Sequence, residues 1–150
     1  MKTSEKIRQR LKEKNIRFHS NDNIADYVEK GELEELQKEV EESFAGVLDS
    51  MVIDVENDHN TKETARRVAK MYIQEIFNGR FVQPPKVTSF PNMGYRSLYT
   101  SGPISVKSTC AHHFQNIVGK CWVGILPEKE VIGLSKFNRI VHHIAERPQI

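Results

Sequence analysis

Cys110, His112 and His113 fall within four consecutive residues, CAHH. Thiolate sulfur and imidazole nitrogen are the donors that zinc prefers. A structural zinc site takes four protein ligands. Fewer leave a position for water, whose pKa the metal lowers to about 7. Cys121, the second sulfur of that type, follows eight residues after His113. The same residues also admit a Cys–His nucleophile pair, or a buried cysteine beside two surface histidines. Spacing alone leaves these readings open.

A second group lies in GLSKFNR, residues 133–139. Lys136 and Arg139 are three apart and share a helix face. They fall in a first turn, where the helix dipole is positive and basic side chains are disfavoured for stability alone. Gly133, Leu134 and the Ser135 hydroxyl stand beside them. Free backbone N–H groups with two cations make an anion site, and phosphate is the obvious anion. Arg67 and Lys70 repeat the spacing near the start of an earlier helical pattern. Two such clusters suggest more than one phosphate.

The charge distribution agrees. Residues 1–20 carry seven basic and two acidic residues, residues 21–63 three and fourteen, and residues 64–150 twelve and four. The cationic C-terminal half points to an anionic ligand, with packing of the acidic segment against it as a partial alternative cause. Other chemistries are excluded. There is no His-Glu-x-x-His, and no His-x-Glu with a later Pro-Cys-x-x-Cys. GPISVKS at 102–108 lacks the second glycine of a P-loop. Aromatics are 8% and do not interleave with the basic residues, so nucleic acid is not an expected partner. Mean hydropathy is −0.54 and no run approaches a membrane span. The basic N-terminus lacks the apolar core of a secretory signal. Two cysteines make no disulfide framework, so a reducing cytoplasm is expected.

One compact unit suits 150 residues. A short amphipathic helix is expected over 4–14 and a polar linker at SNDN, 20–23. Leu33, Leu36, Val40, Phe44, Val47, Leu48 and Met51 recur at the helical period, so one face of a helix over 33–52 should be buried. Asn60 with Glu63 resembles a capping box. The helix after it carries Ala65, Val68, Ala69, Tyr72, Ile73, Ile76 and Phe77, with Gly79 as its stop. Pro84-Pro85 breaks the pattern, and 86–90 reads as a short strand. Ile104, Val106 and Ser108 alternate with Ser105, Lys107 and Thr109, as in a half-buried strand. Residues 117–126 form a second strand, with Gly119 and Gly124 as bulge positions. Ser135 caps a last helix faced by Phe137, Ile140, Val141 and Ile144, and Pro148 ends it.

GPISVKSTCAHHFQNIVGK followed by VIGLSKFNRIVHHIAERPQ resembles the GTP cyclohydrolase I family. KETARRVAKMYIQEIFNG resembles the family's segment before its first strand, so the likeness covers roughly 62–149. The resemblance implies an α+β tunnelling fold: an antiparallel sheet with helices on one face, preceded by N-terminal helices. Residues 1–60 would be the helical region and 61–150 the catalytic domain. It implies Zn2+-dependent opening of the GTP imidazole ring, giving dihydroneopterin triphosphate and formate. Cys110 and His113 match two zinc ligands, and His112 a proton-transfer residue. Lys136, Arg139, Arg67 and Lys70 match triphosphate-binding positions, and Leu134 and Ser135 line the same pocket. Family members self-associate into homodecameric rings with active sites between subunits.

Three departures stand out. Ala111 replaces a usual Glu, and Ala65 a usual Pro. The family's Gln-Glu, further helix and two strands, with a second zinc Cys, a catalytic His and another Arg, have no counterpart here. The C-terminal half of the sheet is therefore expected to be missing. The chain is then part of a longer or split product, or a catalytically incomplete relative serving as a binding or assembly subunit.

Overall fold

Eleven residues, Thr3–Glu13, form the first helix, α1, in a computed structural model that describes residues 1–150. Its apolar stripe is short. Ile7 and Leu11 are buried with Ile24, and Ile16, Phe18, Tyr27, Val28 and Phe81 close around them. A single turn, Ala25–Tyr27, leads to helix α2, Glu32–Ser50. The basic α1 and acidic α2 are joined by their charges and caps. Arg10 pairs with the buried Glu32 carboxylate. The Thr3 hydroxyl donates to Glu35 and the Ser4 N–H to Glu39 (3.1 Å). Acidic side chains thus take up orphan donors at the start of α1.

The face expected on α2 is only partly buried. Leu48 is covered and Leu33, Leu36, Val40 and Phe44 are half-buried, whereas Val47 and Met51 are exposed. The helix stops at Ser50, so Met51 falls outside the stripe.

Helix α3, Thr64–Lys70, follows. The expected capping box does not form. Asn60 gives both its backbone and side-chain N–H groups to Asp58, and Thr61 N–H donates to the Asp58 carbonyl. Residues 58–61 thereby close their own turn, and the helix starts only at Thr64. Nor does the expected single helix continue to Gly79. Met71–Ile76 form a π turn, and a separate four-residue turn, α4, spans Asn78–Phe81. Gly79 sits inside α4 rather than ending a helix. It is glycine because the chain there touches another backbone: an added Cβ would lie 2.0 Å from the His143 carbonyl oxygen.

Strand β1, Ser89–Pro91, lies three residues later than the expected start at 86 and pairs antiparallel with β4, Glu130–Ile132. Strands β2, Tyr99–Cys110, and β3, Asn116–Ile125, form a long antiparallel hairpin. The register shift lies between Ser101 and Ile104, not at Gly119 or Gly124, which pair regularly with Val106 and Thr100. Pro103, which has no N–H to give to the ladder, accounts for its position.

Helix α5, Leu134–Ala145, is preceded by Gly133 in an extended conformation. Ser135 therefore lies inside the first turn rather than capping it. The helix runs in the same direction as β2. The Phe137 ring meets Tyr99 at 6.3 Å, His142 Nε2 lies 3.0 Å from the Ser105 carbonyl, and the Ser108 hydroxyl donates to the Ala145 carbonyl (2.6 Å). That last bond satisfies a terminal carbonyl, so α5 ends before Pro148 is reached. Pro148–Gln149 instead form β5, parallel to the end of β2. The three-stranded sheet, ordered β3-β2-β5, is thus mixed rather than purely antiparallel.

The stretch expected as a linker is anchored. Arg80 donates to the carbonyls of Phe18, His19, Ser20 and Asp22. Asn23 Nδ2 donates to the carbonyls of Gly79 (2.8 Å) and Val82 (2.7 Å), and Arg147 Nε to Gly79 (2.9 Å). No helix is long and apolar enough to cross a membrane.

Candidate functional site

The turn joining β2 to β3 carries Cys110, Ala111, His112, His113 and Phe114. Three backbone bonds shape it: Cys110 N–H to the Gln115 carbonyl (2.8 Å), Phe114 N–H to the Cys110 carbonyl (2.9 Å), and Ala111 N–H to the Gln149 carbonyl (2.6 Å). Phe114 has φ +55°. A side-chain-bearing residue occupies that region sparsely.

The Cys110 sulfur lies 3.6 Å from His112 Nδ1. The backbone N–H of His112, the His112 ring and the backbone N–H of His113 hold the thiol below its ordinary value. Each stabilises the thiolate, the form that ligates metal. Both histidine rings are exposed, with centroids 6.4 Å apart.

The donor types fit zinc, but their number in one copy falls short. No three His, Cys, Asp or Glu side chains converge anywhere in the chain. Cys121 pairs with Ile104, six residues up β2 from Cys110, or about 20 Å along the strand. It does not complete the set.

The cations divide into two groups. Arg67 and Lys70 are exposed on α3, in its last turn rather than near its start as the sequence suggested, because the helix begins only at Thr64. The turn that follows α3 packs on Phe114, through Tyr72 (5.7 Å between centroids) and Phe77 (5.2 Å). The structure thus brings the helix of Arg67 and Lys70 to the Cys110 turn. Leu134, Ser135 and Lys136 lie in the first turn of α5, at the opposite end, with Arg139 midway along the helix. Leu134, Ser135 and Arg139 are exposed and Lys136 is half-buried. Because α5 meets Ser108 with its last residue, its first turn is on the order of 20 Å from Cys110. A side chain cannot bridge that gap. One copy therefore holds two separate clusters.

A groove of about 650 Å³ runs between the π turn, the hairpin and α5, lined in part by Met71, Glu75, Lys107, Thr109, His142 and Glu146. None of the residues expected from sequence lines it.

Phe114, Tyr72 and Phe77 escaped the sequence reading as site residues. Phe114 directly follows CAHH, but its role depends on a left-handed backbone that composition does not reveal. Gln149 escaped because it contributes only its carbonyl.

A family model described as GTP cyclohydrolase I matches residues 40–150. Among curated relatives, the GTP cyclohydrolase 1 of Shewanella baltica (strain OS185) is 41% identical over 119 residues, covering 78% of this chain and 55% of the relative. The one from Shewanella amazonensis is 42% identical with the same coverage. The one from Aliivibrio salmonicida is 40% identical, covering 78% and 54%. The chain spans about half the length of the curated relatives it matches.

Proposed function

Because the chain belongs to the GTP cyclohydrolase I family, we propose that it serves the hydrolytic opening of the GTP imidazole ring, giving 7,8-dihydroneopterin triphosphate and formate. The observation that carries this reading is the Cys110 turn, where a half-buried thiol is held toward the thiolate beside an imidazole. Cys110 and His113 would hold Zn2+ with a further donor from outside the single copy, and the bound ion would supply a water ionised near neutral pH. His112 is placed to hold or pass a proton next to Cys110. Lys136, in the first turn of α5, with Arg139, Arg67 and Lys70, would take the triphosphate, since cationic side chains pair with phosphate oxygens. Leu134 and Ser135 would line that pocket. Residues 61–150 are the catalytic part in this reading, residues 1–60 a helical region, and the sheet with its helices follows the tunnelling architecture.

The 20 Å between half-sites supports completion between copies, as in the rings that the resemblance implies. Exposed apolar side chains on the hairpin suit such contacts: Val118, Trp122 and Leu126 are each more than three-fifths exposed. Two free cysteines suit a cytoplasmic setting.

Complementation tests the arrangement. Cys110→Ala and Lys136→Ala chains are assayed apart and after co-assembly. Each alone is expected to be inactive, while a random mixture restores about a quarter of the sites, because each site draws the two residues from different copies. A mixture as inactive as its components would refute sharing. The shortage of zinc donors in one copy favours a second reading, a binding or assembly subunit within rings of a complete enzyme. In that case the chain binds GTP or a partner chain without turnover.

A further inference from the structure

The π turn sets two aromatic rings on one side of the chain. The Phe77 N–H donates to the Tyr72 carbonyl at 3.0 Å, an i to i+5 closure. In an α-helix, residues five apart point about 140° away from each other. The wider π closure brings them one above the other. The Tyr72 and Phe77 rings accordingly lie 5.2 Å apart. Phe44 of α2 stacks on Tyr72 at 5.8 Å with the planes 23° apart, which fixes that ring.

Phe114 meets both rings, at 5.7 Å from Tyr72 and edge-on at 5.2 Å from Phe77. Such centroid distances and tilts are those that aromatic quadrupoles favour. Phe114 is nonetheless 48% exposed, so general burial does not hold it in place. Its φ of +55° is a conformation that contacts must maintain. That conformation turns the chain back so that the Gln115 carbonyl accepts from the Cys110 N–H (2.8 Å) and closes the turn on which the sulfur meets His112. Relaxation of residue 114 to negative φ would swing the Gln115 carbonyl away from the Cys110 N–H and open the turn.

We propose that Tyr72 and Phe77, brought together by the π turn, are positioning residues that clamp Phe114 and so hold the Cys110–His113 turn closed. The π turn is the register device: it follows directly on α3, so the clamp also fixes where the basic helix stands relative to the thiol. The inference concerns turn geometry, and its meaning for metal binding rests on the reading of Cys110 given under the proposed function.

The test uses the 150-residue chain with Phe114→Ala, Tyr72→Ala and the milder Tyr72→Leu, beside the conservative Phe114→Tyr and Tyr72→Phe. Two readouts are taken: hydrogen exchange at the Cys110 and Phe114 amides, and titration with Co2+ followed by thiolate-to-metal absorption. The first three variants should speed exchange at those amides at least about tenfold, with the hairpin amides at 104–107 unchanged. They should weaken Co2+ binding by about 10- to 100-fold. The aromatic replacements should restore both. Unchanged exchange in Phe114→Ala and Tyr72→Leu would overturn the clamp. Equal loss in the aromatic replacements would overturn it too. If the unsubstituted chain gives no thiolate band, the reading of Cys110 as a ligand falls, and the exchange measurement still decides the clamp.

Discussion

Replacing Gly79 with alanine should destabilise the chain, against the general trend for that substitution. The Gly79 φ is not in the left-handed region, so alanine meets no backbone penalty. At such sites Gly→Ala stabilises by about 0.4–1 kcal/mol. The contacts reverse the sign. The new Cβ would lie 2.0 Å from the His143 carbonyl oxygen, 2.9 Å from that of Glu146 and 3.0 Å from the His143 carbonyl carbon. All three are backbone atoms and no rotamer change relieves them. The α4 turn must retreat from α5 by more than about 1 Å, an overpacking strain of about 1–3 kcal/mol. Retreat also stretches the bonds that the Gly79 carbonyl accepts from Asn23 and Arg147. The charged one alone is worth about 1.5–3 kcal/mol. A net loss of about 3 kcal/mol follows, and a fall in Tm of about 6–12 °C for a chain of this size. Calorimetry on Gly79→Ala and on Gly46→Ala makes the comparison. Gly46 lies within α2 with nothing inside 4 Å of its added Cβ, so alanine there should stabilise by up to about 1 kcal/mol. Equal Tm shifts for the two variants would refute the close-approach argument.

The buried His143 should make the chain less stable in acid. Burial first, then the Arg147 charge, hold its imidazole below the ordinary 6.5, with Glu146 opposing. The unfolded chain therefore takes up a proton that the folded chain refuses. Stability is full above about pH 6.5 and declines as pH falls toward the lowered folded-state value, by at most about 1.4 kcal/mol per pH unit across that window. Melting curves between pH 7.5 and 5.5 should show the decline, and His143→Phe should flatten it. Equal slopes for the two chains would rule His143 out as the source. Arg80→Ala should free the 18–22 loop, whose carbonyls it gathers. Limited proteolysis is expected to cut there at least about tenfold faster, and an unchanged cleavage rate would show that the loop is held by other contacts.

Local pattern made some of this legible. Leu33 to Leu48 and Phe137 to Val141 repeat at the helical period because each helix covers one side, although Val47 and Ile144, expected on those faces, are exposed. Ile104, Val106 and Ser108 alternate because β2 has a covered face. Whatever depended on distant partners was not legible. Pro148 looks like a helix stop, yet it opens a strand because the end of β2 offers it a free edge. SNDN looks like a linker, yet Arg80, some sixty residues away, gathers its carbonyls. Tyr72 and Phe77 sit at a spacing that an α-helix would splay, so their partnership on Phe114 requires the π turn. The candidate site residues stand out in the sequence as two motifs. That they stand at opposite ends of β2 follows from α5 running alongside β2 in the same direction, its start near Tyr99 and its end at Ser108, which no motif encodes.

The most direct test of the central claim is an assay of the purified chain with GTP and Zn2+. Formate release and the fluorescence of the oxidised neopterin product are followed, with bound zinc measured on the same sample. The account predicts turnover with stoichiometric zinc, both abolished in Cys110→Ala. Absence of turnover and of bound zinc in the unsubstituted chain would contradict it and leave the binding or assembly role.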